Sequence, residues 1–397
     1  MTTSNFVDLP KLTTAQETSM VIGWGVGQIA RRWFNTDTKK FMGWNGSAVV
    51  EIGIAEIFPI MIAATQSNYI YRSSDGGVVW TPVNVSVGGK NYYGTAISSD
   101  GQYALAIVNN GYIYTSSDFG MTWYERNSGI GTKSYRSCAM SSTGQYQICA
   151  VFNGYLYVSN DYGVTWVEKN ASAGTKTYQQ CAVSASGQYM LAPGTSSYIY
   201  VSSDYGVSWV QRNVSSSYAP CSMSSSGQYM MCPDASSGRI WVSNDYGVNW
   251  SYDATQALRS YIYCEMSSSG QYMITGLNSN QSHVSNNYGV SWTQINRSAG
   301  SLTHQGISSD GKYMLLAYAD IFVSNDYGVS FSAKGQTISG SGSAMSSNGK
   351  NMIVCDFTGG STQGKLLVSN DYGFTWSRRN VAVGYLYYRH PSISSGL

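Results

Sequence analysis

The pattern Ser-x-Asp-x-Gly-x-x-Trp opens at Ser73 and again at Ser116, Ser159, Ser202, Ser243, Ser285, Ser324 and Ser369, and nothing else restricts the fold so tightly. The eight copies lie 39 to 45 residues apart, with Asn287 for Asp in one and Phe331 for Trp in another. Between them runs a second motif, clearest as "SSSGQYM" at 224–230 and 267–273. Each unit then reads as four short apolar stretches parted by turns, as in "CAMS", "YQICAV", "GYLYVS" and "VTWVEKN". Four strands repeated every forty or so residues predict a β-propeller, because one such blade cannot bury its own faces.

The expected fold is all-β, a closed eight-bladed propeller over 53–397 with a small β module at 1–52. Nine residues before the Gly of the "SxGQ" turns stand Tyr92, Tyr135, Tyr178, Tyr218 and Tyr261, and the same count from Gly396 reaches Tyr387. The C-terminus thus begins a blade whose other strands, "IMIAATQ", "YIYRSS" and "VVWTPV", lie at the front. Pairing the two ends would remove the open strand edges that promote aggregation.

Within the boxes, Ser and Asp suit bonding to nearby backbone, Gly supplies positive φ, and Trp can pack between blades. Asp75, Asp118, Asp161, Asp204, Asp245, Asn287, Asp326 and Asp371 therefore read as structural. One carboxylate per turn is too few for calcium, which takes six to eight oxygens. The eight segments resemble Asp-box, or BNR, repeats. That resemblance implies a fold marker between the third and fourth strands, remote from any active site. Sialidases of this type also carry an arginine triad and an "FRIP" motif, whereas "IFPI" at Ile57–Ile60 lacks the Arg.

Charged residues make up 11% of the chain against about a quarter in ordinary domains, and the formal charge is +2 without a long basic run. Nothing in this pattern supplies the basic face that phosphate neutralisation needs, so nucleic acid is not expected as a partner. The most apolar run, 52–64, is short and contains Glu56, so no membrane span is expected. Seven cysteines lack metal spacing. Cys138 with Cys149, and Cys221 with Cys232, flank hairpin turns, where either buried thiols or a disulfide would fit. His283, His304 and His390 follow no metal or triad spacing, so neither metal nor cofactor is implied.

The first-to-second and third-to-fourth strand turns share one uniform face. The opposite face carries loops that vary, such as "VNNG" at 108–111 and "DFTGGSTQG" at 356–364. A repeat scaffold places a site on such loops. The six tyrosines should surround the channel mouth there, with Lys90, Lys133, Lys176 and Arg259 two residues before four of them. Their rings would either stack on sugars, the cations holding acidic groups, or pack between blades. No catalytic set emerges. The irregular Asp234, Asp253, Asp320 and Asp356 are what a glycosidase would have to bring together in pairs.

Residues 1–52 do not repeat. "RWFNTDTKKFMGWNGSAVV" reads as two strands about "TDTK" with a second turn at "WNGS". The run "LPKLTTAQ … FNTDTKKFMGWNGSAVVEI" resembles a module of tail-fibre and other virion fibre proteins, with an insertion at "SMVIGWGVGQIARR". It implies a particle-anchored, extracellular virion protein, trimeric as fibres are, attached through 1–52. The leading reading is a non-enzymatic fibre or decoration protein whose propeller binds host-surface glycan or protein. The alternatives are a sialidase-like glycoside hydrolase and a protein-docking scaffold or assembly factor.

Overall fold

A computed structural model describes residues 58–395 except for single positions and the loops 127–130, 170–173, 217–219, 254–259, 278–280, 297–303, 357–364 and 381–386. Of residues 1–57 it describes four strands, in backbone only. The chain forms two compact units, Met1–Ile57 and Phe58–Leu397. In the first, Arg32–Asn35 pairs antiparallel with Lys40–Trp44, which pairs with Val49–Glu51, and Lys11–Leu12 adds a parallel edge strand that the sequence did not suggest.

The second unit is all β, with eight blades of four antiparallel strands, here a to d from the axis outward. In blade 3 they are Lys133–Met140, Gln147–Val151, Leu156–Ser159 and Val167–Lys169. Strands b and c have a sheet neighbour on each side and a blade against each face, so their sequences are nearly continuous apolar runs, as in "ICAV" and "MIVC". Strand d is exposed and mixed.

The ring closes. Tyr387–Ile393 is strand a of blade 1, hydrogen-bonded to Met61–Gln66. Each innermost strand lies beside those of the blades before and after it, all the way round. Eight apolar clusters fill the eight interfaces, and the one at the seam joins Met61, Tyr71 and Trp80 of blade 1 to Ile353, Leu366 and Val368 of blade 8. The seam is packed as the other interfaces are.

A belt of hydrogen bonds links the a–b turns. Ser99 N–H donates to the Ser142 carbonyl, Ser142 to Ala185, Ala185 to Ser225, and so on to Ser347, at 2.8 to 3.0 Å. Ser347 then reaches Ser395 by a hydroxyl bond of 2.8 Å, and Ser395 N–H returns to the Ser99 carbonyl. The second residue of each "SSxGQ" motif therefore ties one blade to the next. The motif's Gly187, at φ +84°, shows why glycine is required: a Cβ there would lie 2.3 Å from the Tyr146 ring of the preceding blade.

Each box closes on itself. In blade 3 the buried Ser159 hydroxyl accepts from Gly163 N–H at 2.9 Å and donates to Asp161 at 2.8 Å. Asp161 in turn accepts from the Thr165 amide and hydroxyl at 2.8 and 2.7 Å. Trp166 donates its indole N–H to the Gly163 carbonyl. Asn287 fits the same turn because its amide donates to Ser291 Oγ at 2.9 Å, reversing the usual direction.

Candidate functional site

On the variable face, b–c loops clasp the chain as it enters the next blade. Lys90 N–H donates to Asn68, and Lys176 and Gly154 exchange a bond pair at 2.9 and 3.0 Å. Lys133 pairs with Gly111, and beside it Ser134 donates to the Asn109 side chain at 2.8 Å. Asn153, at φ 52°, accepts from Thr177 in the same way. Asn suits this site because it tolerates the left-handed conformation while offering a side-chain acceptor. The clasps fix Lys90, Lys133 and Lys176 at equivalent places on blades 2, 3 and 4, each half-buried.

More cations share this sector. Arg126, Lys169 and Arg212 stand at or near the variable-face ends of the outer strands. Arg136 bridges blades 2 and 3, donating to Tyr93 Oη at 2.9 Å with its guanidinium over the Tyr93 and Phe152 rings. These seven are all the cations between 88 and 217. The acids of that stretch divide unequally. Asp100, Asp118, Asp161 and Asp204 belong to turns of the uniform face, and only Glu125 and Glu168 remain in the sector, accepting from Tyr114 and Tyr157 at 2.6 and 2.7 Å. Burial first, then the Glu125 carboxylate, holds the Tyr114 phenol well above its usual range, so it remains a donor.

The tyrosine ring sits elsewhere than at an open mouth. Tyr92, Tyr135, Tyr178 and Tyr261 have no exposed surface, and they meet Tyr114, Tyr157, Tyr200 and His283 edge-on at 5.9 to 6.0 Å. Rings packed in this way offer no face to a sugar. Tyr218, Arg259 and the side chain of Tyr387 lie outside the described residues. Tyr387 pairs with Gln66, and Tyr388 opposite Thr65 takes the register of the other ring tyrosines, because Ser394 and Ser395 hold the places of Ser98 and Ser99, so a count from Gly396 starts one residue early. Arg136 escaped selection, although it is the one cation directly after a ring tyrosine in blades 2 to 6.

Three of the four irregular carboxylates hold their own surroundings. Asp234 accepts from Ser236 N–H at 2.8 Å and from the Ser236 and Ser237 hydroxyls. Asp320 accepts from Ile321, Gly335 and Gln336 amides. Asp356 is buried, 3.6 Å from Arg378. Asp253 is half-buried at the end of the blade 5 outer strand. All seven cysteines are free thiols, and Cys138 and Cys149 are direct cross-strand partners. Burial raises the Cys181 thiol to about 12, so it stays protonated and unreactive. His283 and His304 are buried, and among the described residues no His, Cys, Asp and Glu group is arranged to hold a metal.

Fold and surface define an Asp-box propeller that carries a basic sector on its variable face. The sequence itself goes further: residues 146–385 match the model of the photosynthesis system II assembly factor YCF48, and the chain belongs to that family. A solved structure titled "YCF48 bound to D1 peptide" has TM-score 0.50 and 13% identity, covering 73% of this chain and 93% of that one. The dihydro-heme d1 dehydrogenase NirN gives TM-score 0.62 at 10% identity, over 83% and 75%. A xyloglucanase of Xanthomonas campestris gives 0.51 at 12%, over 81% and 65%. At such identities these likenesses show the fold alone. No curated protein matches the sequence significantly.

The family match overturns the virion location implied by the N-terminal resemblance, since an assembly factor for a photosynthetic complex is a cellular protein. It favours the scaffold alternative over the fibre reading.

Proposed function

We propose that this chain is a non-enzymatic docking scaffold of the assembly-factor type, which holds an acidic polypeptide segment on the variable face of blades 2 to 4. The observation that carries this is the charge partition: seven cations face two carboxylates there, and the clasps fix three of the cations in position. Family membership supports a protein partner, and the structure of a relative with a bound peptide is consistent with this use of the fold. A glycosidase reading is weakened because Asp234, Asp320 and Asp356 already serve their own loops and strands.

The test is fluorescence anisotropy with a short labelled Asp/Glu-rich peptide and its Lys/Arg counterpart. The acidic peptide should bind with an affinity that falls as salt rises. Lys133→Glu with Lys169→Glu and Lys176→Glu should abolish binding. Equal binding of the two peptides would sink the proposal.

A further inference from the structure

The uniform face is more than scaffolding. The residue after each box glycine is exposed and apolar in every blade, from Val78 to Phe374, and Val290 and Val329 reach 75% and 77% exposure. A hairpin turn imposes no such choice, and repeated exposed apolar side chains at one rim mark an interaction surface. The residue before the glycine adds to the same rim. It is an aromatic in seven blades, in the left-handed conformation near φ 62° that side chains other than Gly, Asn and Asp seldom adopt. Six of these tyrosines stack on the "GQY" or "GKY" tyrosine of the preceding blade at 4.4 to 4.8 Å, while five keep 37% to 40% of their surface open.

The charge of this rim is one-sided. Seven box carboxylates with Asp100 and Asp310 face only Arg72, Lys312 and Lys350 on the turns. The box carboxylates are ringed by turn donors: burial acts to raise Asp161, but the Thr165 and Ser159 bonds outweigh it and hold it below the usual range. Two of the protein's own lysines show what such a surface receives. Lys312 lies over the Tyr313 ring at 5.4 Å, and Lys334 reaches across from blade 7 to the exposed Phe374 ring at 5.5 Å. In blades 2 to 6 the position of Lys312 is Gln, so no such lysine covers those stacked pairs.

We infer that the rim of exposed Val and stacked Tyr beside the box carboxylates, across blades 3 to 6, docks a polypeptide surface on which Arg or Lys alternates with apolar residues. The cations take the open tyrosine faces and the neighbouring carboxylates, and the apolar residues cover the valines. Charge decides the occupant. A second copy docked rim to rim would set two acidic rims against each other, and an anionic membrane would be repelled. This surface is independent of the basic sector, so either can fail alone.

The probe is a short labelled peptide alternating Arg and Leu, with Glu–Leu and Arg–Ser peptides as controls, read by anisotropy on the full chain. Asp161→Asn, Asp204→Asn and Asp245→Asn together remove charge while keeping the turn, as Asn287 does in blade 6. Tyr162→Asn, Tyr205→Asn and Tyr246→Asn remove rings with a residue that accepts positive φ. Each triple should weaken Arg–Leu binding about tenfold or more. Lys133→Glu should leave it unchanged. Should either triple melt early, Val164→Ser, Val207→Ser and Val248→Ser, all at exposed positions, give the same test. The inference is overturned if Glu–Leu binds as well as Arg–Leu, or if the substitutions leave affinity unchanged. It is equally overturned if the Val→Ser variant instead abolishes self-association in sedimentation or flotation with phosphatidylglycerol vesicles.

Discussion

Removing Pro391–Leu397 should open the ring, and the structure sets the size of the effect. Five hydrogen bonds tie this segment to its neighbours besides the strand ladder. Ser394 N–H donates to Ile60 and accepts the Ile60 amide on its hydroxyl, Ser395 N–H donates to Ser99, Ser347 donates to Ser395, and Thr95 pairs with Ser392 at 2.9 Å. At about 1 kcal/mol each these contribute about 5 kcal/mol. Loss of Ile393 packing against the blade 1 and 8 cluster adds about 1 kcal/mol. Domains are stable by about 5 to 15 kcal/mol, so the loss is a large share of the total. Differential scanning calorimetry should show Tm falling by roughly 8 °C for a unit of this size. Limited proteolysis should cut first near Met61 and Ile62, whose partners Ile393 and Ser392 are removed. Ser395→Pro, which deletes the N–H that reaches Ser99 and the hydroxyl that accepts from Ser347, should lower Tm by a smaller amount. A truncated chain melting within about 1 °C of the intact one would refute the argument, because the seam would then carry no more energy than a surface loop.

Four further outcomes follow. Asp161→Ala should destabilise by about 1 to 2 kcal/mol in chemical denaturation, whereas Asp161→Asn should be nearly neutral, as Asn287 implies. Gly187→Ala, at φ +84° and against Tyr146, should cost about 2 kcal/mol or more in the same assay. Burial raises the Glu265 carboxyl to about 7, with a Ser222 hydrogen bond opposing it. A carboxyl raised on folding binds more protons in the native state, so stability is greater below its unfolded pKa near 4.5 and falls as pH rises to about 7. Tm should therefore decline over that window in the native chain but not in Glu265→Gln. Finally, titration with a thiol reagent should find at most one reactive cysteine before denaturation, since Cys138 alone is half-buried and the other six are buried.

The repeat made the blade architecture legible because box and "SxGQ" turn each have one sterically narrow solution, and their spacing counts the blades. The seam was legible for the same reason, to within one residue. The count back from Gly396 reaches Tyr387 because Gly396 follows Ser395 directly, whereas in the other blades one more residue separates the corresponding serine from the turn glycine. The tyrosines show a different limit: spacing placed them at the entry to strand a, but only three dimensions show that the ring turns into the blade and meets Tyr114 or its counterpart. Lys90, Lys133 and Lys176 follow from that spacing, while Arg126, Lys169 and Arg212, which recur at the same 43-residue interval, lie outside the tyrosine count on the outer strands. Their convergence depends on antiparallel strands bringing distant residues to one face. The fibre-like stretch of about forty residues misdirected the functional reading, because it lies outside residues 146–385, on which the family match rests.

The belt through the a–b turns has a consequence for how such a chain can vary. Every link donates in the same rotational sense, so each blade is seated on the next and the circuit has neither first nor last member. A gene made of near-identical repeats invites unequal recombination, which would add or drop a unit. The belt opposes the product: a ninth or a missing blade would change the angle at every link at once, and no single junction could absorb the difference. Copy number is thereby held fixed by geometry, while each loop outside the belt stays free to diverge.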